Sequence, residues 1–179
     1  MIQHDREHYL IGLTGNIATG KSTVGAMLVE LGATTIDADH VTHQISRDDR
    51  AVVTQIAAHF GADVVNGQGN VDRKRLGRIV FNDPVALGQL EAIVHPAVAA
   101  RINQCVNMIE TPVVVIEAIK LIEAGWPHVC QALWVTICRP EQQIERLIKG
   151  RSLSYSEAKL RVTAQPPQAA KVRLADVVI

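Results

Sequence analysis

Gly15-Asn16-Ile17-Ala18-Thr19-Gly20-Lys21-Ser22 decides the fold. The pattern Gly-x-x-x-x-Gly-Lys-Ser/Thr is a phosphate-binding P-loop, provided that a strand precedes it and a helix follows. Both flanks fit. Tyr9 to Leu13 is a short apolar run, and Lys21 to Gly32 carries Val24, Met27, Leu28 and Leu31 at helical spacing, with Gly32 at the C-cap. Such a loop turns several backbone N–H groups toward one spot, at a helix N-terminus that favours anions. Lys21 is then expected to reach the β- and γ-phosphates, and the Ser22 hydroxyl to hold Mg²⁺.

Outward from the loop, short strand candidates recur at about 33–36, 113–116, 134–137 and 176–179, separated by helical stretches. Val113-Val114-Val115-Ile116 is entirely β-branched, a buried-strand signal. The alternation predicts an α/β fold around a five-stranded parallel sheet. Helices are expected from His40 to Ile45, Arg50 to Phe60, Asp72 to Val80, Val85 to Glu110 with a break or bend at Pro96, Arg139 to Lys149, and Ser156 to Thr163 until Pro166-Pro167. Asn66 to Asn70 reads as a turn. The helical stretch between the second and third strands is too long for one crossover and suggests a side lobe.

Composition agrees. The 179 residues suit one domain, and 47% hydrophobic residues with a mean hydropathy of +0.12 supply a core. Aromatics are only 3%, so that core is aliphatic, as in a covered parallel sheet. Lysine and arginine balance aspartate and glutamate at 18 each, which argues against a nucleic-acid partner. No apolar run reaches membrane-spanning length, and Met1-Ile2-Gln3-His4-Asp5-Arg6-Glu7-His8-Tyr9 is no signal peptide. Cys105, Cys130 and Cys138, odd in number and without Cys-x-x-Cys spacing, read as reduced structural thiols in a cytoplasmic protein.

Several residues are candidates for chemistry. Asp37 and Asp39 follow the second strand, at the sheet edge where ligands gather. Either can orient an acceptor hydroxyl and take its proton, or cap the helix at His40. Glu117 closes the third strand, either near Mg²⁺ or as a charge in solvent. Arg139, Arg146, Lys149, Arg151, Lys159 and Arg161 form a basic helical pair that either covers the phosphates or is a solvated face with pairs such as Glu145–Lys149. Arg73, Lys74, Arg75 and Arg78 either meet an anionic acceptor or are solvated. His95-Pro96 is a helix-bend pair or a substrate contact. The chain has no Asn-Lys-x-Asp base-reading motif of a GTPase.

Taken in order, these residues resemble the dephospho-CoA kinase family over nearly the whole chain. The family loop Thr-Gly-Gly-Ile-Gly-Ser-Gly-Lys-Ser-Thr reads here Thr14 to Thr23, and its Asp-Ala-Asp reads Asp37-Ala38-Asp39. His59-Phe60-Gly61, Arg73-Lys74-Arg75-Leu76, Ile79-Val80-Phe81, His95-Pro96, Glu141 to Leu147, Arg161 to Gln165 and Ala175 to Ile179 also match in kind. The resemblance implies a P-loop kinase three-layer fold with a helical substrate lobe and a small lid. It implies Mg²⁺- and ATP-dependent phosphorylation of the ribose 3′-hydroxyl of dephospho-CoA, a small-molecule acceptor. The alternatives are another small-metabolite or nucleoside kinase, or a nucleotide-binding module without catalysis.

By position, Gly15, Asn16, Ile17, Ala18, Thr19, Gly20, Lys21, Ser22 and Thr23 would hold the nucleotide. Asp39, Lys21 and Arg146 would be catalytic, Arg146 from the lid. Thr14, Asp39, Arg73, Lys74, His95 and Glu117 are the substrate candidates. The implied division is a nucleotide-binding core at 8–59 and 101–138, a CoA-binding lobe at 60–100, a lid at 139–170 and a last strand at 171–179. Three departures stand out. Asn16 and Ala18 replace loop glycines. Glu117-Ala118-Ile119-Lys120-Leu121-Ile122-Glu123 replaces Asp-x-Pro-Leu-Leu-x-Glu. The chain stops at Ile179, where the family runs on through an Asn-x-Gly turn and a terminal helix.

Overall fold

The computed structural model describes residues 8–81 and 83–179. The polar N-terminal stretch read as no signal peptide falls, over residues 1–7, outside them. Five strands form one sheet: β1 (Tyr9–Gly15), β2 (Thr34–Asp37), β3 (Val113–Glu117), β4 (Ala132–Thr136) and β5 (Val177–Val178). Their order is β2-β3-β1-β4-β5, and every pairing is parallel. β1 lies central, with Leu13 opposite Glu117 on one side and Trp134 on the other. Its residues after Tyr9 are all buried. Strands covered on both faces read as continuous apolar runs, which is why β1 and β3 were plain in the sequence.

The helix after the loop, α1 (Lys21–Glu30), ends as expected near Gly32, whose φ of +95° is a left-handed turn suited to glycine. Its buried face differs from the expectation. Val24 and Leu28 pack on Ile11, Leu13 and Val115, but Met27 and Leu31 are exposed at 57% and 84%. Lys21 and Gly25 are the buried residues. The loop turns the helix so that Lys21 faces inward, and the apolar stripe is rotated partly out. Gly25 sits close to Glu117: a Cβ there would stand 3.2 Å from Glu117 Oε2, tight enough that the carboxylate would have to shift.

Backbone contacts divide the described residues into two compact units, residues 8–37 with 106–179, and residues 38–105. The second begins at Ala38, whereas the sequence division opened the lobe at residue 60. Its helices are α2 (Ala38–Asp48), α3 (Arg50–Phe60), α4 (Arg73–Val80) and most of α5 (Pro84–Met108). Asp49 and Asp72 cap α3 and α4, each accepting two backbone N–H groups. A turn at Asn66–Asn70 joins Val65 to Val71 in an antiparallel bridge, with Asn66 Oδ1 accepting from Gln68 and Asn70. One expectation needs correction. The helix expected from His40 starts at Ala38, directly after Asp37, so Asp39 lies inside its first turn. α5 continues through Pro96 as a single helix.

In the first unit, α6 (Pro140–Arg151) and α7 (Tyr155–Thr163) follow β4. Ser154 and Glu157 form a reciprocal cap at the start of α7. Pro166-Pro167 does stop that helix, but Pro167 then precedes a short α8 (Gln168–Val172) that the sequence reading did not anticipate. Five residues carry too little periodicity to announce a helix.

Candidate functional site

The P-loop is held from several directions. At its entry, Gly15 has no room for a side chain: a Cβ would stand 2.5 Å from the Thr136 carbonyl oxygen and 2.7 Å from Thr19 Oγ1. Thr19 Oγ1 donates to the Asn16 carbonyl at 2.8 Å and bonds Thr136 Oγ1 at 2.7 Å. Ala18 sits at φ +59°, the left-handed region that glycine adopts freely. The two family glycines replaced here are thus different cases. Position 18 keeps the glycine-like backbone, while Asn16 uses its side chain, Nδ2 donating to the Pro166 carbonyl at 2.9 Å.

Lys21 is 8% exposed, and its Nζ donates to the Gly15 carbonyl at 3.2 Å. The ammonium is folded back over the loop, where phosphate oxygens would be cradled. Ser22 Oγ donates to Glu117 Oε1 at 2.9 Å. Glu117 is 9% exposed, so it is not a strand-end charge in solvent. Of the two readings of Glu117, its burial sets aside the one that leaves it as a charge in solvent.

The segment after β4 closes on the same loop. Arg146 Nη1 donates to the Ala18 carbonyl at 3.0 Å, and a Cβ at Gly20 would lie 3.5 Å from that nitrogen. Gln143, 1% exposed, donates from Nε2 to the Ile17 carbonyl at 2.6 Å. Gln165 Oε1 accepts from the Ile17 N–H at 2.7 Å. Ile17 packs with Leu147 and Ala158 of the helical pair. Gln143 and Gln165 were not singled out in the sequence, although both lie in stretches quoted for the resemblance; neutral amides carry no motif of their own. The other basic residues divide as expected for a partly solvated face, with Lys149 paired to Glu145 at 2.7 Å.

Cys138 lies beside Arg146, Nη1 to Sγ at 3.9 Å. Desolvation raises its thiol pKa, and the Arg146 charge partly opposes this. Burial pushes Cys130 further, to about 11. All three cysteines are free. Next to the loop, Ile137, Cys138, Arg139, Gln142, Arg146 and Gln168 line an open cavity of about 670 Å³.

Thr14, fully buried, donates from Oγ1 to the Ile119 carbonyl at 3.2 Å. Asp39, Arg73, Lys74 and His95 belong to the second unit. Asp39 is half-buried in the first turn of α2. Arg73 opens α4 and lies with Nη1 3.2 Å from His43 Nδ1; Lys74 follows it, exposed. His95 is half-buried within α5. Among the described residues, no group of three or more His, Cys, Asp or Glu could hold a metal, and no helix is long and apolar enough to cross a membrane.

Comparison with known proteins converges on one family. A family model described as dephospho-CoA kinase matches residues 9–179. A dephospho-CoA kinase of Symbiobacterium thermophilum is 45% identical over 173 residues, 95% of this chain and 72% of that protein. One from Parasynechococcus marenigrum is 42% identical over 170 residues, 94% of this chain and 85% of that protein. Among solved structures, one from Thermus thermophilus superposes with a TM-score of 0.85 at 33% identity, covering 97% of this chain and 88% of that one. The dephospho-CoA kinase of Campylobacter jejuni gives 0.66 at 27% identity, covering 96% and 87%.

Proposed function

This chain belongs to the dephospho-CoA kinase family, and from that premise we propose how its residues share the work. The enzyme transfers the γ-phosphoryl group of ATP to the ribose 3′-hydroxyl of dephospho-CoA, giving CoA and ADP, the last step of coenzyme A biosynthesis. Phosphoryl transfer asks a protein mainly for positioning and for charge opposite the moving group. The observation that carries the assignment is the convergence of Lys21, Ser22 and Arg146 on one loop, with Glu117 bonded to Ser22.

In this reading, residues Gly15 to Thr23 cradle the phosphates through backbone N–H groups. Lys21 moves its Nζ from the Gly15 carbonyl to the β- and γ-phosphates. Arg146, already seated on the Ala18 carbonyl, turns its remaining N–H donors toward the transferring group. The Ser22 hydroxyl and the Glu117 carboxylate are hard oxygen donors that fit Mg²⁺, Ser22 holding it and Glu117 orienting Ser22. Bound there, Mg²⁺ would neutralise charge on the phosphate oxygens.

Asp39 is the carboxylate we assign to the acceptor hydroxyl, holding it in line and taking its proton. Support comes from its place two residues beyond Ile36-Asp37 at the carboxyl end of β2. Arg73 and Lys74 supply cations for the anionic acceptor, with His95 and Thr14 as further contacts and the 60–100 lobe as the CoA-binding part. Cytoplasmic location and the absence of a nucleic-acid partner rest on the balanced charge and the free cysteines.

Asp39→Asn tests the central assignment. Turnover should fall by about tenfold or more while ATP binding, measured by titration, stays nearly intact. Unchanged turnover would remove Asp39 from this role.

A further inference from the structure

Two distant segments meet at the carbonyl oxygen of Ile119. It accepts from Thr14 Oγ1 at 3.2 Å and from Lys171 Nζ at 2.5 Å. Lys171 is 5% exposed, and its Nζ also faces Glu123, with Oε1 at 3.4 Å and Oε2 at 3.5 Å. A buried ammonium is unfavourable unless it is paired, and an apolar side chain of similar length would fill the same space without that penalty. A lysine at this junction therefore calls for a reason beyond packing.

The topology supplies one. The turn 118–125 leaves the sheet at the end of β3, between the strand that carries the P-loop and the strand that ends at Asp37. Its first residue continues from Glu117, the partner of Ser22, and its backbone is tied to β1 through Ala118 N–H to the Leu13 carbonyl at 3.1 Å. Lys171 comes from a segment distant in the chain. It sits on α8, just after the stretch in which Gln165 and Pro166 accept from Ile17 and Asn16 of the loop. One side chain thus joins the segment that grips the loop to the turn beyond Glu117.

We propose that Lys171 is a positioning residue for phosphoryl transfer. Through Ile119 and Glu123 it sets the turn after β3 against Thr14, and so holds Glu117 in register with the loop. The proposal rests on the kinase reading above. Methionine is the informative replacement, because it keeps the length and removes the charge.

The experiment measures kcat and both KM values for wild type, Lys171→Met and Glu123→Gln with ATP and dephospho-CoA, with a thermal melt of each. For Lys171→Met we expect kcat to fall by about tenfold or more while KM for ATP stays within about threefold, the mark of a lost positioning effect and not of lost binding. Glu123→Gln keeps an acceptor oxygen and should lower kcat by about two- to fivefold. Unchanged kcat in a folded Lys171→Met, or equal damage to kcat and to KM for ATP, would overturn the proposal. If Lys171→Met does not fold, Glu123→Gln decides alone: a selective fall in kcat supports the proposal, and wild-type kcat overturns it. An inactive wild type would remove the kinase reading and the proposal together; an active wild type with unaltered variants removes only the proposal.

Discussion

Ser22 donates its hydroxyl to Glu117, Oγ to Oε1 at 2.9 Å, across from the P-loop to the end of the neighbouring strand. The bond links the residue expected to hold the metal to a buried carboxylate. Glu117→Gln keeps the size and a hydrogen-bonding oxygen but removes the charge. The Mg²⁺ concentration for half-maximal turnover should rise several-fold at fixed ATP, read from ADP release across a Mg²⁺ series. An unchanged Mg²⁺ dependence would make the bond purely structural.

Arg146 reaches the loop as a fork, with one nitrogen on the Ala18 carbonyl. Lysine cannot reproduce that geometry. Arg146→Lys should lower kcat by about tenfold or more, with a smaller change in ATP affinity by titration. Equal kcat in the two proteins would take Arg146 out of the transfer step.

Ala18 holds a left-handed backbone at φ +59°. For a residue with a Cβ that costs about 1–2 kcal/mol, and glycine is released from it. Ala18→Gly should raise the melting temperature by roughly 2–4 °C with turnover little changed. A lower melting temperature would mean that the Cβ contributes packing that outweighs the strain.

The thiols give a pH test. Cys130 is pushed from 9.0 up to about 11 by burial. Between those values the unfolded chain binds fewer protons than the folded one, so stability falls as pH rises through the window and is unaffected below it. At pH 8 the folded protein should carboxymethylate Cys130 roughly a hundredfold more slowly than a free thiol, because the thiolate is the nucleophile. At Cys138 the Arg146 charge lowers a thiol that desolvation raises. Arg146→Met should therefore move the labelling profile of Cys138 to higher pH, and no movement would contradict their proximity.

Much of this was legible in the residues. β1 and β3 are buried on both faces, so their apolar runs stood out, and Gly15 to Ser22 announced the turn between strand and helix. The rotation of α1 was not legible. Its apolar positions satisfy helical spacing, but the loop turns Lys21 inward and leaves Met27 and Leu31 in solvent. α8 was missed because five residues show no period. In the candidate site, Lys21, Ser22 and Arg146 carry charge or motif and so were visible as candidates. Gln143, Gln165 and Lys171 act on backbone carbonyl and amide groups, which are the same at every position and leave no trace in the sequence.

The most direct measurement is ADP release from ATP and Mg²⁺ with dephospho-CoA as acceptor, run beside adenosine, AMP and shikimate. Release with dephospho-CoA alone, with the new phosphate on the ribose 3′-oxygen, is the predicted result. Equal release with another acceptor, or none with dephospho-CoA while ATP still binds, would contradict the account.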